Sequence, residues 1–203
     1  MTNSILFLSG SLRAESLNTR LIAIAARTLP ATYEPVFFDL NDIPPYNADH
    51  DGEHAPASVV ELRRRIHDAA GVFWATPEYN YAVPGVVKNV IDWASRPIFP
   101  QNCLVGKPMN AAVATISATN GVRSLSELKR MWNTSGGLSA PLPDCVITLA
   151  PTKFLDDDGV DTLEPHSLKM ITLAVTCLVR LCDSNASEAL VENWHSYVAA
   201  LSS

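Results

Sequence analysis

Apolar residues along this chain fall in short blocks separated by polar stretches, and the blocks alternate between two periodicities. Residues 5–8, Ile-Leu-Phe-Leu, form an apolar run of the kind a strand buried on both faces shows. After a polar loop, Leu17, Leu21, Ile24 and Thr28 recur at helical spacing and predict a helix ending before Pro30. Residues 35–40 read as a second strand. In the polar stretch that follows, Ser58 and Glu61 have the spacing of a capping box and predict a helix to about Asp68. Residues 71–76 are a third buried strand. Pro84 suits the first turn of a helix that carries Val86, Val87, Val90, Ile91 and Ala94 inward and stops before Pro97. Residues 109–116 predict a fourth strand. Ser124 and Glu127 repeat the capping-box spacing, for a helix to about Trp132, and residues 144–149 predict a fifth strand. The tail predicts a helix from about Glu164 to Cys182, a break at 183–185 and a restart to about Leu201.

Five short buried strands separated by helices imply a parallel sheet with helices on both faces. Right-handed crossovers leave few topologies, and order 2-1-3-4-5 of the flavodoxin-like three-layer sandwich is the natural one for five strands. The expectation is one such unit over residues 1–203, with a helical C-terminal extension from about residue 184. In such a sheet a ligand binds beyond the carboxyl ends of the strands, where the strand order reverses. The loops after strands 1, 3 and 4 therefore carry the function.

Composition narrows this further. With 203 residues, 47% of them hydrophobic and 18% charged, the chain can bury a full core and is not a disordered one. A net charge of −6 without a basic face argues against nucleic acid as a partner. The longest apolar stretch, residues 170–179, is too short to span a bilayer, and the first residues lack the basic region of a signal peptide. Cys103, Cys145, Cys177 and Cys182 show no paired spacing; buried thiols in a reducing compartment, the cytoplasm, are the expectation. The five histidines show no ligand spacing, and Asp156, Asp157, Asp158 and Gly159 lack the helix pair of a calcium loop, so no metal is expected.

The loop after strand 1, residues 9–18, offers three hydroxyls, an amide, the Arg13 guanidinium and the free N–H groups of a helix start. Those are the parts of a phosphate site, although Ser16 also reads as a simple helix cap. Known nucleotide fingerprints do not fit: there is no G-x-G-x-x-G loop, and Gln101 stands where a Walker loop before Gly106 and Lys107 needs glycine. A monophosphate held by hydroxyls remains, which in a flavodoxin-like sheet points to FMN. The loop after strand 3, residues 76–85, is stiffened by Pro77 and Pro84 and places Tyr79 where it could stack on a flat heterocycle; a rigid turn with a packed tyrosine is the plainer alternative.

Three stretches resemble the NADPH-dependent FMN reductase family, which includes quinone, chromate and azo-dye reductases. They are residues 10–18 (Gly-Ser-Leu-Arg-Ala-Glu-Ser-Leu-Asn), residues 76–96 beginning Thr-Pro-Glu-Tyr-Asn-Tyr, and residues 106–108 (Gly-Lys-Pro). The resemblance implies FMN bound by Ser11, Arg13, Ser16, Leu17 and Asn18 around the phosphate and ribityl chain. Pro77, Glu78, Tyr79 and Asn80 would meet the ring, with Ser117 nearby. It also implies ping-pong transfer from NADPH or NADH, through FMN, to a small-molecule electron acceptor such as a quinone, flavin, azo compound or metal oxyanion. Residues 117–124 depart from the family's Gly-Gly-x-Arg-x-Gln stretch, with Arg123 as the nearest match to its arginine. A flavodoxin-type electron carrier and a flavin-binding regulatory protein are the competing readings.

The segment 168–182 sets Leu168, Ile171, Val175, Leu178 and Cys182 on one stripe and Met170, Leu173, Ala174, Cys177 and Leu181 nearly opposite. A helix apolar on both sides needs a second cover. Either the restarted tail folds back over it, or a second chain does. The resemblance favours the second chain, and a homodimer or homotetramer is expected.

Overall fold

The computed structural model describes residues 3–97 and 102–201. In chain order the elements are β1 (Asn3–Ser9), α1 (Leu17–Ala26), β2 (Tyr33–Phe37), α2 (Ala57–Asp68), β3 (Gly71–Ala75), α3 (Gly85–Ala94), β4 (Pro108–Ala114) and α4 (Val122–Thr134). They continue with β5 (Leu138–Ser139), β6 (Cys145–Ile147), β7 (Phe154–Asp157), β8 (Val160–Leu163), α5 (Pro165–Cys182) and α6 (Ala186–Leu201). The main sheet is parallel in the order β2-β1-β3-β4, with β5 and β6 sharing the fifth position along β4. This is the flavodoxin-like order expected from the strand count.

The strands alternate faces at period two. Leu6, Leu8, Val72, Trp74, Ala111 and Val113 pack against α2, α3 and α4, whereas Ile5, Phe7, Phe73, Ala75, Ala112 and Ala114 pack against α1 and α5. Each fully buried leucine, isoleucine, valine or phenylalanine among them contributes about 1.5–3 kcal/mol.

Several boundaries move for identifiable reasons. β2 begins two residues earlier than its apolar run: as an edge strand it tolerates Pro35, and residues 38–43 leave the sheet to bury Leu40 and Ile43. The fifth strand is split because Pro141 and Pro143 cannot donate to a ladder; β5 pairs with the start of β4 and β6 with its end. Neither capping box forms. The cap of α2 is Pro56, Ser58 Oγ donates to the Asp42 carbonyl (2.9 Å), and Glu61 pairs with Arg64 and Arg65. The cap of α4 is Gly121, and both Ser124 and Glu127 bond to the loop after β3.

The hairpin β7–β8 was not expected. Its turn holds Asp158 and Gly159, and Asp161 docks it on α1 by a two-pronged pair with Arg20, with Nε 2.8 Å from Oδ2. α5 buries Ile171, Ala174, Val175 and Leu178 against the sheet. Among the described residues the tail does not cover its other side. Instead α6 packs by Ser187 and Val191 on Gly106, where Ser187 Oγ donates to the Gly106 carbonyl at 2.6 Å. Leu163, Leu168, Thr172, Leu173 and Thr176 are left lining an open apolar groove on α5.

Candidate functional site

The carboxyl ends of β1, β3 and β4 converge on one cleft of about 220 Å³. Its first wall is the β1–α1 loop. Ser16 caps α1 by accepting from the N–H groups of Asn18 and Thr19, both at 3.2 Å, which leaves its own hydroxyl proton to give. Asn18 is buried and clamps the start of α1 to the end of β4: its Nδ2 donates to the Ala114 carbonyl (3.0 Å) and its Oδ1 accepts from the Ala114 N–H (2.8 Å). The loop can lie this close to β3 because residue 10 is glycine. A Cβ there would stand 2.5 Å from Thr76 Oγ1 and 2.7 Å from Val87 Cγ2.

The second wall is the loop after β3. Tyr79 and Ala82 exchange both backbone hydrogen bonds at 3.1 Å, across Asn80 and Tyr81 at φ 51° and 66°. Left-handed backbone suits asparagine but strains tyrosine, at a cost of order 1–3 kcal/mol. Two carboxylates hold the turn from behind. Glu127 accepts from the Val83 N–H (2.9 Å). Glu78, its side chain wholly buried, turns away from the cleft into the start of α4. Its Oε2 accepts from the N–H groups of Gly121 (2.9 Å), Arg123 (3.1 Å) and Ser124 (3.2 Å), and Arg123 lies 3.5 Å from Oε1. Gly121, at φ 121°, is wedged against Val113 and Val146, so α4 starts hard against the sheet. The Arg123 guanidinium then lies over the Tyr81 ring at 4.9 Å. The carboxylate is thus a helix cap delivered from another loop, and it is the Glu78 backbone that faces the cleft.

Of the residues expected at the site, Ser11, Arg13, Ser16, Leu17, Asn18, Pro77, Glu78 and Tyr79 line this one cleft. Asn80 sits exposed at the turn tip, and Ser117 lies beyond the rim, its Oγ accepting from the N–H groups of Thr119 and Asn120. Ala114, Thr115 and Ile116 complete the lining; the rule that ligands meet the carboxyl ends of strands could have found them at the end of the fourth strand.

The donor set fits a phosphate dianion. Among the described residues, neither the Arg13 guanidinium nor the N–H groups of Leu12, Ala14 and Leu17 have a protein partner, and they stand at the positive end of α1. Glu78, the acidic residue among the described lining, turns its carboxylate out of the cleft, onto three N–H donors of α4 and toward Arg123.

A 2-1-3-4-5 parallel sheet with an anion cradle at the point where its order reverses defines a flavodoxin-like nucleotide-binding protein. Comparison with known proteins narrows the class. Residues 3–150 match the NADPH-dependent FMN reductase family. The chain is 40% identical over 134 residues to the quinone reductase of Escherichia coli K12, covering 63% of this chain and 68% of that one. It is 33% identical over 158 residues to a 2-hydroxy-1,4-benzoquinone reductase of a Burkholderia species, covering 78% and 81%. Among solved structures it is similar to the flavoenzyme NAD(P)H:(acceptor) oxidoreductase FerB of Paracoccus denitrificans, at TM-score 0.80 and 28% identity over 89% of this chain and 97% of that one. The chain belongs to the NADPH-dependent FMN reductase family and is an FMN-dependent NAD(P)H oxidoreductase acting on a small-molecule acceptor. No helix among the described residues is long and apolar enough to cross a membrane.

Proposed function

We propose that the chain is a cytoplasmic quinone reductase whose FMN is seated in the cleft between the β1–α1 loop and the Tyr79–Ala82 turn. The observation that carries the seat is the set of unpaired donors around Arg13 at the start of α1, facing a turn held rigid from behind. Ser11, Arg13 and Ser16 would receive the phosphate, Leu17 and Asn18 the ribityl chain. Pro77, the Glu78 backbone, Tyr79 and Asn80 would border the ring, with Ser117 at the rim. When bound, FMN accepts hydride from NAD(P)H and passes electrons onward. The chain's own work is to hold the phosphate by charge-assisted hydrogen bonds and to keep the ring-side turn in one conformation, so that no reorganisation is needed on transfer.

A quinone as acceptor is supported by the side chains at the mouth. Tyr79 and Ile116 are exposed there, Ile116 by 75%, and an apolar rim suits a flat, weakly polar acceptor better than a hydrated oxyanion. The names of the relatives point the same way. The uncovered groove on α5 supports assembly as a homodimer, and the four free thiols suit a reducing compartment. The test is anaerobic mixing of FMN-loaded protein with NADH or NADPH, then with benzoquinone or chromate. Bleaching of the flavin band by the nucleotide and its fast return with benzoquinone are expected. Return with chromate alone would refute the acceptor, and absence of bleaching would refute the reductase.

A further inference from the structure

We infer that the cavity beside the flavin cleft, between the β1–α1 loop and residues 37–41, takes the adenosine half of the nicotinamide dinucleotide, with Asp39 reading its ribose. The inference rests on the neighbouring cleft being the flavin seat. The cavity measures about 360 Å³, within the range of roughly 300–1,000 Å³ for small-molecule sites. Ser11 and Arg13 line it as well as the flavin cleft, so one extended ligand can run from the first into the second.

The position has a physical logic. In the dinucleotide-binding version of the doubly wound sheet, an acidic side chain roughly twenty residues past the first phosphate loop hydrogen-bonds the ribose hydroxyls, and Asp39 offers a carboxylate at a comparable place. Asp39 lies two residues past the end of β2. Its Oδ1 is held by the Asn41 N–H (3.0 Å) and the Asn41 side-chain amide (2.7 Å), while no donor among the described residues reaches Oδ2. The chain just past it is anchored by buried Leu40 and by the bond from Ser58 to the Asp42 carbonyl. Beside it Phe37 is 51% exposed, backed by the Phe7 ring at 5.5 Å, and gives a purine an aromatic face. Arg13, which has no ion pair among the described residues, stands on the wall the two spaces share. A carboxylate at this place accepts from the two hydroxyls of NADH and repels the 2′-phosphate of NADPH.

The direct test is calorimetric titration of ADP-ribose, and separately of its 2′-phosphate, into FMN-loaded protein. ADP-ribose is expected to bind without displacing FMN. Asp39→Asn, which keeps an oxygen for the Asn41 N–H, should weaken ADP-ribose about tenfold, the loss of a charge-assisted hydrogen bond. The same variant should raise the ratio of kcat/KM for NADPH over NADH by about tenfold, as removal of a repelling charge requires. Phe37→Ala should weaken both probes and leave their ratio alone. The inference is overturned if ADP-ribose does not bind, if it displaces FMN, or if Asp39→Asn weakens FMN or leaves the nucleotide ratio unmoved. Should the protein not retain FMN, the reading of the flavin cleft fails instead, and the same titration of flavin-free protein still decides the cavity.

Discussion

Replacing Glu78 by glutamine tests whether the ring-side turn is held by a buried charge. In the native protein one wholly buried carboxylate oxygen accepts three N–H donors from the first turn of α4, and the other faces Arg123 at 3.5 Å. Glutamine keeps a carbonyl oxygen for the same donors, nearly unchanged in volume. It loses the charge that meets the positive end of α4, an interaction worth up to about 2 kcal/mol when partly buried. It also turns an amide NH₂ toward a guanidinium, where two donors face each other without an acceptor. Hydrogen bonds to charged groups contribute about 1.5–3 kcal/mol, and because the three donors share one oxygen their losses do not add. A net destabilisation of about 2–3 kcal/mol follows, which for a chain of this size lowers Tm by roughly 4–12 °C. The strain at Tyr81 makes the effect local as well as global: once the anchor weakens, the turn can relax from φ 66°, and FMN should leave faster. Thermal melts of flavin-free and FMN-loaded protein, with flavin release followed by its recovered fluorescence, read both consequences. A variant that melts with the parent and holds FMN as long would refute the claim that the carboxylate organises the site. A variant that melts early yet holds FMN equally long would leave the cap standing and refute the coupling to the turn.

Arg13→Ala should weaken FMN by tenfold to a hundredfold, about 1.5–3 kcal/mol for a lost charged hydrogen bond, with little change in Tm because the side chain has no protein partner among the described residues; fluorescence titration checks it. Riboflavin should bind more weakly than FMN, and Arg13→Ala should narrow that gap; equal affinities in the parent would remove the phosphate cradle. Burial pushes the thiols of Cys103, Cys145 and Cys182 up to about 12, whereas an unfolded thiol ionises near 8.5. Their contribution to stability is therefore fully present below about pH 8.5 and is lost as pH rises toward 12, so urea midpoints should fall between pH 8 and 10, less steeply in Cys145→Ala corrected for its lower starting stability. The bond from Arg20 holds the Asp161 carboxyl below its ordinary range, so the docking of the β7–β8 hairpin is complete above about pH 4 and is lost as the pH falls below it; hydrogen exchange of residues 154–163 should show it.

What the sequence disclosed and what it hid divide along one physical line. Doubly buried strands announce themselves because every residue of β3, and every residue of β4 but Asn110, is apolar, and their order follows from chirality and connection length. The β1–α1 wall of the cleft was legible because Ser16, Leu17 and Asn18 are neighbours in the chain at a helix start, where Ser16 caps the first turn. Glu78 was not. Its partners are Gly121, Arg123 and Ser124, more than forty residues away, and no local pattern distinguishes a carboxylate aimed at a ring from one aimed at a distant helix end. The same blindness produced both false capping boxes. Ser58 and Ser124 have the local spacing, yet tertiary acceptors, the carbonyls of Asp42 and Pro77, engage their hydroxyls. The hairpin at 154–163 was hidden for a related reason: each four-residue strand buries one apolar side chain, Phe154 and Leu163, too few to show a period, and a pair with Arg20 on α1 helps hold it. The end of β2 joins both kinds. Phe37 and Phe38 read as strand because they are apolar, but the strand ends at Phe37 and the chain turns at Asp39 to bury Leu40. That turn leaves an exposed aromatic ring beside an anchored carboxylate next to the phosphate loop. Folding alone does not require such a pairing, because a polar residue in place of Phe37 would remove the cost of exposing it to water.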